Sequence, residues 1–493
     1  MMRLRREAGG ASRSSRALAV CALALAAATA LAQQSPTPAQ DQPQQPQEPG
    51  AGAQVHTGTN VGVEADTQLE NLLADHQFLR LQSMLGTLPP QEAQFYGGIL
   101  ANRDNDPQKS IQMLEPLLND VVASGDKAHE KLLRKALAED YLREGNLSKA
   151  AQTYQALEAR VGSTLTADEQ SEIEMPLKML PLAAANPPMT VDPCEPFELQ
   201  VDKDPLGLTD LPVYVDARPH SWMLDPTAPF NLIARSLARE AGLKISDEST
   251  TIHTLTGKPI VVHSTVIPRF TVGGRLTLRN MTAFVYDDAD YFFPRTQYQV
   301  EGVLGYAALQ ALGSLTITAD DTVEVVPGNT PAQDAKDPAA QNAKDSAIPA
   351  GARFFLDGER ILVAFGDARS AASGAQPKPG DERMYEVDAG GQETYLTARY
   401  YDEHTADFAG KQMSLYRLPG PVQMAPTPAY LAETVPLAIG STLIHINYVQ
   451  VFTQPLGTAG LDDVYGVLGV DALDQFKAYT FNYRTMRFSV RPE

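Results

Sequence analysis

The chain has 493 residues, 43% of them hydrophobic, and a formal net charge of −20 at pH 7. This acidic balance argues against nucleic acid and anionic lipid surfaces as partners, because both are negatively charged and need a basic surface. The two cysteines are Cys21 and Cys194, and Cys21 lies in an N-terminal segment that we expect to be removed. One cysteine would then be left, which excludes an intramolecular disulfide.

The first 32 residues have the layout of an export signal. Five arginines precede an apolar segment at 17–31, and small residues lie at 30 and 32. A basic start, a short apolar run and a small-residue cleavage site are typical of a secretory signal peptide, although an uncleaved anchor is the alternative. We predict a signal peptide at 1–32, export to the periplasm or the medium, and no integral membrane segment after cleavage. Cleavage removes five Arg and one Glu, so the formal charge changes from −20 to −24.

Residues 33–64 are rich in Gln, Pro, Gly and Ala and contain almost no large apolar side chains. Such a stretch buries too little apolar surface to offset the entropy lost on ordering. We therefore predict a disordered, flexible tether.

Apolar residues recur at helical spacing from 65 to 187. The clearest stretch, 136–154, consists of two helical runs around a Gly-Asn turn and resembles a tetratricopeptide repeat. The turn residues Asn105 and Asn146 are 41 positions apart, more than the usual repeat of about 34, which implies an insertion around 124–131. We predict a tetratricopeptide-like helical module at 65–187, used for protein contact or for docking onto the next domain. A plain helical bundle is the alternative.

Short β-type runs replace the helical pattern after a proline-rich boundary. The runs in this part are 213–215, 222–224, 260–262, 270–272, 276–278, 283–286 and 315–317. Two helices interrupt them, one predicted at 232–241 and ended by Gly242, the other at 306–312 and ended by Gly313. The pattern predicts a small, mainly antiparallel, barrel-like domain.

Two segments share the layout of an apolar run, an Asp and a tight turn, with Asp225 in the first and Asp388 in the second. Gly302-Val303-Leu304-Gly305 begins 77 positions after Asp225, and Gly466-Val467-Leu468-Gly469 begins 78 positions after Asp388. Chance agreement of motif and spacing in two windows is improbable. The spacing therefore indicates an internal repeat.

The agreement continues beyond these motifs, since a β-type run begins at Thr316 in the first copy and at Thr480 in the second. We assign the two copies to 205–327 and 351–493. Between them, 328–350 has the Ala, Pro, Gln and Asp composition of a linker, long enough for the second copy to face the first.

The order of strand, Asp turn, helix, hairpin, Gly-Gly strand pair and Gly-Val-Leu-Gly motif resembles the retropepsin-like aspartic proteases, in particular bacterial exported members with a helical-repeat front end. The resemblance covers 205–327 well and 351–493 moderately. It implies a multidomain α + β protein, in which a tetratricopeptide-like helical module precedes two mainly-β lobes of the acid protease fold. Each lobe would contribute one Asp to a shared water-activating pair, so Asp225 and Asp388 are the catalytic candidates. Peptides or proteins would be the substrates.

The resemblance also assigns supporting roles. The Gly-Val-Leu-Gly motifs would cross behind the Asp turns, and mobile hairpins, or flaps, would close over a peptide at 251–259 and 418–424, although both could be ordinary surface hairpins. The residues in these roles are Thr227, Ala228, Gly390 and Gly391 in the Asp turns, Gly302, Gly305, Gly466 and Gly469 in the crossing motifs, and Thr254, Gly257 and Gly420 in the flaps.

The chemistry of peptide hydrolysis explains why two carboxyl groups are needed. One carboxylate accepts a proton from water while a neighbouring carboxylic acid donates to the carbonyl oxygen. Two carboxyls in contact share one proton, because both cannot be ionised at that separation, and they titrate as a unit. Asp225 and Asp388 are the residues that the repeat positions for this role.

The Asp turns depart from the family pattern, which is Asp-Thr/Ser-Gly. The chain has Asp225-Pro226-Thr227-Ala228 in one lobe and Asp388-Ala389-Gly390-Gly391 in the other. The hydroxyl that normally follows each Asp is missing twice, and proline removes a backbone donor as well. Three interpretations follow: an active aspartic endopeptidase, a pseudoprotease that binds peptides or serves as an assembly scaffold, or lobes that form the Asp pair with another chain.

Other catalytic signatures are absent from the sequence. It has no His-Glu-x-x-His run, no cysteine pair in the exported form, no Gly-x-Ser-x-Gly elbow and no Gly-x-x-x-x-Gly-Lys loop. The acidic pairs Asp287-Asp288 and Asp462-Asp463 could suggest a metal, but we interpret them as solvated turn residues. We expect neither a cofactor nor a metal.

Overall fold

The computed structural model describes the greater part of the chain beyond residue 60. Within 61–492 it describes every residue except 227, 229, 254–258, 295, 329–350, 359, 367, 369–379, 392, 419–424, 441 and 458–461. The predicted signal peptide, most of the predicted tether and nearly all of the predicted linker lie outside the described residues. The first helix begins at Val61, within the last residues assigned to the tether.

Eight helices form the first part of the described chain. They are α1 (Val61–Ala74), α2 (Phe78–Met84), α3 (Pro90–Arg103), α4 (Pro107–Leu114), α5 (Leu118–Ser124), α6 (Lys127–Arg143), α7 (Leu147–Val161) and α8 (Ala167–Ala183). No helix in the described part of the chain is long and apolar enough to cross a membrane.

Side-chain caps define the turns between these helices. The Asp106 carboxylate accepts the backbone N–H of Lys109 at the start of α4, and the Asn146 side chain accepts that of Lys149 at the start of α7. The sequence pattern at Asn146 therefore predicted the helical hairpin correctly. Between α5 and α6 the chain passes through a single left-handed glycine, Gly125, and Asp126 then caps α6. The tetratricopeptide character of the module stays a prediction.

The rest of the described chain consists mainly of β-strands, as the composition predicted. The strands are β1 (Thr190–Val191), β2 (Phe197–Gln200), β3 (Asp202–Lys203), β4 (Thr209–Val215), β5 (Arg218–Leu224), β6 (Leu232–Ala234), β7 (Ser249–His253), β8 (Pro259–Val272), β9 (Leu276–Tyr286), β10 (Phe292–Phe293), β11 (Tyr298–Gln299), β12 (Gly302–Leu304), β13 (Ser314–Thr318), β14 (Thr322–Val326), β15 (Ala352–Asp357), β16 (Arg360–Phe365), β17 (Arg383–Val387), β18 (Tyr395–Leu396), β19 (Met413–Tyr416), β20 (Thr427–Ile439), β21 (Thr442–Phe452), β22 (Gly466–Leu468), β23 (Ala478–Asn482) and β24 (Arg487–Arg491). The short helices among them are α9 (Arg235–Glu240), α10 (Tyr306–Leu312), α11 (Ala398–His404) and α12 (Val470–Leu473).

The two lobes share one strand arrangement around the Asp turns. In the first lobe β12 lies between β5 and β6, parallel to β5 and antiparallel to β6. In the second lobe β22 lies between β17 and β18 with the same directions. Because β5 and β17 end directly before the two Asp residues, each Gly-Val-Leu-Gly motif crosses behind its Asp turn as predicted.

A sheet shared by both lobes joins them. The strands of this sheet that lie at the junction run in the order β2-β14-β13-β23-β24-β15, and the sheet continues from β15 into the second lobe. In it, β13 of the first lobe pairs antiparallel with β23 of the second. Thr316 is paired with Thr480 at the centre of this contact. Since these residues also correspond in the sequence repeat, the two lobes are related by a pseudo-twofold axis that passes between them.

The helical module packs on the outer face of the second lobe. Five buried residues of that face belong to the same hydrophobic cluster as the helices, and they are Phe355, Leu362, Ala364, Met384 and Val464. The rings of Phe78 and Phe355 lie 5.0 Å apart across the contact. The helical module also contacts the first lobe, where the hydroxyl of Tyr306 donates to the side chain of Asn105 over 3.1 Å.

Two details differ from the sequence-based expectation. The helix predicted at 232–241 begins only at Arg235, because its first three residues form β6 between β12 and β9. Sheet pairing here overrides the helical propensity of the Leu-Ile-Ala run. Strands β1 to β3 precede the predicted lobe boundary at 205, yet each of them pairs with a strand of the lobes. The helix predicted at 306–312 is present with the predicted ends.

Candidate active site

Asp225 stands at the end of β5, where the chain turns away from the sheet. Its backbone N–H donates to the carbonyl oxygen of Leu304 over 3.2 Å, which ties the turn to the crossing strand β12. The backbone N–H of Ala228 donates to Asp225 Oδ1 over 3.0 Å. The carboxylate is half-buried. Thr227, predicted as a supporting residue, lies outside the described residues.

Asp388 has the equivalent place in the second lobe. Its backbone N–H donates to the carbonyl oxygen of Leu468 over 2.9 Å, and the backbone N–H of Gly390 donates to Asp388 Oδ1 over 3.0 Å. The side chain is buried. Each Asp carboxylate therefore accepts a backbone N–H from its own turn, which stabilises the ionised form.

The two Asp turns meet at Gly390. A Cβ atom added to this glycine would lie 2.3 Å from the carboxyl carbon of Asp225, while its N–H bonds to Asp388. The two carboxyl groups thus lie on either side of one glycine, and the path through it bounds the distance from the Asp225 carboxyl carbon to Asp388 Oδ1 at roughly 8 Å. The lobes of a single chain face each other at these turns, so the pair does not require a second chain.

Close approach also explains the other predicted glycines. A Cβ on Gly391 would lie 2.2 Å from Asp388 Oδ2, one on Gly302 would lie 2.3 Å from the buried ring of Trp222, and one on Gly305 would lie 2.3 Å from the carbonyl oxygen of Phe230. The second crossing motif is equally close to its neighbours, with Gly466 against Leu396 and Gly469 against Glu393. Any side chain here would push the crossing motif away from the Asp turn.

A second pair of polar residues repeats the symmetry. Asn231 and Thr394 each follow their Asp by six positions, and each accepts a hydrogen bond from the last glycine of the crossing motif. Gly305 N–H donates to Asn231 Oδ1 over 3.1 Å, and Gly469 N–H donates to Thr394 Oγ1 over 2.9 Å. The sequence analysis missed these residues, although their equal offset from the Asp residues was a usable signal.

The carbonyl groups of the Asp turns are tied to the following helices. The N–H of Tyr306 at the start of α10 donates to the carbonyl oxygen of Ala228 over 2.7 Å, and that of Val470 at the start of α12 donates to the carbonyl oxygen of Gly391 over 2.8 Å. The supporting positions Ala228 and Gly391 are thus fixed through their backbone carbonyl groups.

Hairpins lie where the flaps were predicted. Strands β7 and β8 pair antiparallel on both sides of 254–258, so the predicted flap residues Thr254 and Gly257 lie outside the described residues. Strands β19 and β20 form the second hairpin around 417–426, and Gly420 likewise lies outside the described part. The hydroxyl of Tyr416 on β19 donates to Glu393 Oε2 over 2.7 Å, which ties this hairpin to the second Asp turn.

Buried ionisable groups surround the Asp turns, and the sequence analysis did not identify them. Burial raises the pKa of Glu386, an effect that Arg360 opposes and that the charge of Asp225 reinforces. Burial also raises the pKa of Tyr291, with the charge of Asp225 as the next cause. Both groups lie close enough to Asp225 for its charge to contribute to their raised pKa.

Acidic pairs that could have bound a metal are used otherwise. Asp287 forms an ion pair with Arg235, and Asp462 accepts backbone N–H groups of Leu456 and Gly457. No group of three or more metal-ligating side chains occurs in the described residues.

Comparison with known proteins relates part of the chain to one family. The family model described as aspartyl protease matches residues 211–308, which include Asp225 and the first crossing motif. A comparison of the sequence with curated proteins gave no match.

Solved structures similar to the chain include two seed proteins and one bacterial enzyme. Conglutin gamma from lupine seeds is 10% identical with a TM-score of 0.36, and the match covers 61% of this chain and 96% of the lupine chain. Basic 7S globulin from soybean is 11% identical with a TM-score of 0.36, and the coverage is 61% and 95%. A retropepsin-like aspartic protease from Rickettsia conorii is 17% identical with a TM-score of 0.20, and the coverage is 26% and 98%.

Proposed function

We propose that this chain is a retropepsin-like aspartic protease and that it hydrolyses peptide bonds with Asp225 and Asp388 as one carboxyl pair. The position of Gly390 carries the proposal, because this residue packs against the Asp225 carboxyl while its N–H bonds to Asp388. A reaction that needs two carboxyls from two lobes finds them here in matching turns.

In the proposed reaction a water molecule binds between the two carboxyl groups. The ionised carboxylate accepts a proton from water as it attacks the peptide carbonyl, and the protonated partner donates to the carbonyl oxygen. As the tetrahedral intermediate breaks down, the carboxyl that took the proton from water donates it to the leaving amine, and the other carboxylate takes a proton back from a hydroxyl of the intermediate, which restores the singly protonated pair. The backbone N–H groups of Ala228 and Gly390 support the ionised forms in place of the absent hydroxyls.

The substrate in this proposal is an extended peptide held between the β7–β8 and β19–β20 hairpins. Pairing of an extended chain with hairpin edges uses main-chain hydrogen bonds, so it tolerates many side chains. We further propose that the protein acts after export, once residues 1–32 are removed, and that the exposed face of the helical module binds a protein partner or substrate.

A second candidate function is peptide binding without hydrolysis. Pro226 and Ala389 follow the two Asp residues where the family has a hydroxyl, and neither side chain can donate a hydrogen bond across the lobe contact. A carboxyl pair misplaced by about 1 Å can lose on the order of a hundredfold in rate. The groove would then bind chains as an assembly device.

Cleavage of a mixed peptide library distinguishes the two candidates. The purified protein is incubated between pH 3 and 7, beside Asp225→Asn, Asp388→Asn and the control Asp402→Asn, which changes an exposed carboxylate of α11. Cleavage by the parent and the control, but by neither pair variant, supports the protease. Peptide binding by a folded parent that cleaves nothing at any pH contradicts hydrolysis and leaves the binding function.

A further inference from the structure

Glu386 is a buried charge on the strand that delivers Asp388. It lies on β17 two residues before Asp388, and it is 1% exposed. The first lobe has Met223 at the same place, two residues before Asp225 and also buried. The two lobes therefore differ at this position, with a glutamate in the second lobe and a methionine in the first. A buried charge here is costly unless it is paired.

Arg360 on the neighbouring strand β16 pairs with this carboxylate. Its Nε lies 3.0 Å from Glu386 Oε2, while Nη1 and Nη2 bond to the two oxygens of Asp463 at 2.9 and 3.1 Å. A guanidinium held by three such bonds has one orientation. Arg360 is therefore shared between two carboxylates, those of Glu386 and Asp463.

The helical module closes over this cluster. Glu386 is paired across the strands with Leu362, and Leu362 packs in the cluster shared with the helices. From the α1–α2 turn, His76 Nε2 lies 2.9 Å from Asp357 and 3.9 Å from Asp463. Docking of the module thus keeps water from Glu386 and strengthens its electrostatic interactions.

Groups from several elements face Glu386. Arg360 is the cation, and Asp463 and Asp225 are the anions whose charges act on Glu386. Burial and, next, the charge of Glu386 raise the pKa of Tyr395 on β18. The interaction between Glu386 and Asp225 is mutual, because two ligand equilibria that are coupled affect each other equally. A negative Glu386 therefore favours a proton on the Asp pair.

We propose that Glu386, held by Arg360 beneath the helical module, is a positioning residue that keeps the Asp225–Asp388 pair singly protonated to a higher pH than the pair would reach alone. The inference rests on the proposed function for its catalytic consequence. Its physical content, a buried carboxylate on the strand that leads to Asp388, does not depend on turnover.

The test is a titration of the Asp carboxyl groups by NMR in protein labelled with 13C at the aspartate carboxyl. Asp225→Asn and Asp388→Asn identify the signals of the pair. We expect the upper titration step of the pair to move down by about one pH unit in Glu386→Gln. Glu324→Gln, the same change at an exposed position on β14, should leave it in place. An upper step that stays unchanged in folded Glu386→Gln overturns the proposal.

Two further measurements keep the test decisive. Glu386→Met, which copies the first lobe, replaces Glu386→Gln if the latter does not fold. If neither folds, the reverse direction is measured with glutamate labelling, where Asp225→Asn should lower the pH at which Glu386 titrates, and no change would overturn the coupling. If the protein cleaves peptides, the alkaline limb of its pH profile of kcat/KM should move to lower pH in Glu386→Gln, together with the upper titration step of the Asp pair. A shifted titration in a protein that cleaves nothing refutes the proposed function and keeps this inference.

Discussion

The hydroxyl oxygens of Thr316 and Thr480 lie 2.9 Å apart at the centre of the sheet that joins the two lobes. The residues are partners in the β13–β23 register and both are buried. Thr316 and Thr480 are equivalent residues of the two lobes, so their contact lies on the pseudo-twofold axis. The two Asp turns are arranged about the same axis. The position of one Asp relative to the other therefore depends on this sheet.

Replacing one of these hydroxyls should weaken the contact more than replacing both. Thr316→Val leaves the buried Thr480 hydroxyl without a partner, which we expect to lower the free energy of unfolding by about 1–3 kcal/mol. The double variant Thr316→Val/Thr480→Val leaves no unpaired hydroxyl. Its loss of unfolding free energy should therefore be smaller than the sum of the losses in the two single variants. Urea unfolding measures all three. Thr434→Val, at an exposed hydroxyl, is the control, and strictly additive losses would contradict the account.

Gly390→Ala should disrupt the Asp pair directly. The added Cβ would lie 2.3 Å from the Asp225 carboxyl carbon, so the carboxyl or the turn must move. We expect peptide cleavage to fall by about a hundredfold for a displacement near 1 Å, as measured by kcat/KM on one cleaved peptide. Gly86→Ala, where no heavy atom lies within 4 Å of the added Cβ, should be neutral. Full activity in Gly390→Ala would refute the close packing of the turns.

Asp357→Asn should loosen the helical module from the second lobe. Burial acts to raise the pKa of Asp357, but Arg103 and His76 outweigh it and hold the pKa well below its usual range. A depressed folded-state pKa gives stability that is present above the unfolded value near 4 and is lost as the pH falls through the folded value. We expect a loss of about 1–3 kcal/mol at pH 7 that shrinks in acid. Urea unfolding against pH measures it.

The control for this ion pair is Glu115→Gln, which removes an exposed partner of Lys149. Exposed pairs contribute about 0–1 kcal/mol, so this variant should remain close to the parent protein. If Asp357→Asn were no less stable than Glu115→Gln at pH 7, the ion pairs would not hold the module on the lobe.

Asp210 should make the first lobe less stable as the pH rises. Burial and, next, the charge of Asp204 raise the pKa of Asp210 to about 6. The folded protein then binds more protons than the unfolded chain between about pH 4 and 6, so this contribution is complete below pH 4 and is lost as the pH rises through 6. The change in unfolding free energy caused by Asp210→Asn should be more favourable at pH 8 than at pH 4, by about 1–2 kcal/mol. Equal effects at both pH values would contradict the raised pKa, and Asp247→Asn, at an exposed carboxylate, is the control.

The fold and the Asp turns could be predicted because they repeat. The offsets of Gly302 from Asp225 and of Gly466 from Asp388 are local features of sequence, and each reflects a crossing strand that leaves no room for a side chain. The start of α9 was misplaced because Leu232, Ile233 and Ala234 are helix formers that the sheet recruits. Their strand partners lie 52 to 71 positions away, and periodicity within a short window does not reveal them.

The electrostatic surroundings of the site could not be predicted from the sequence, because they also depend on residues that are far apart along the chain. In the sequence Glu386 has the pattern of the polar member of an alternating strand, yet it is buried in the folded protein, beside Leu362 of the cluster shared with the helices. His76 and Asp357 are 281 positions apart and meet across two domains. Pairing of charges over such separations is a property of the packing, which a single sequence does not encode in any short pattern.

The claim that Asp225 and Asp388 act as one pair is tested most directly by comparing kcat/KM for Asp225→Asn, Asp388→Asn and the double variant on the best-cleaved peptide. Residues that act as a unit give losses that are far from additive. We predict that each single variant loses at least about a thousandfold and that the double variant is no slower than either one. A single variant within tenfold of the parent, or losses that multiply in the double variant, would contradict a shared pair.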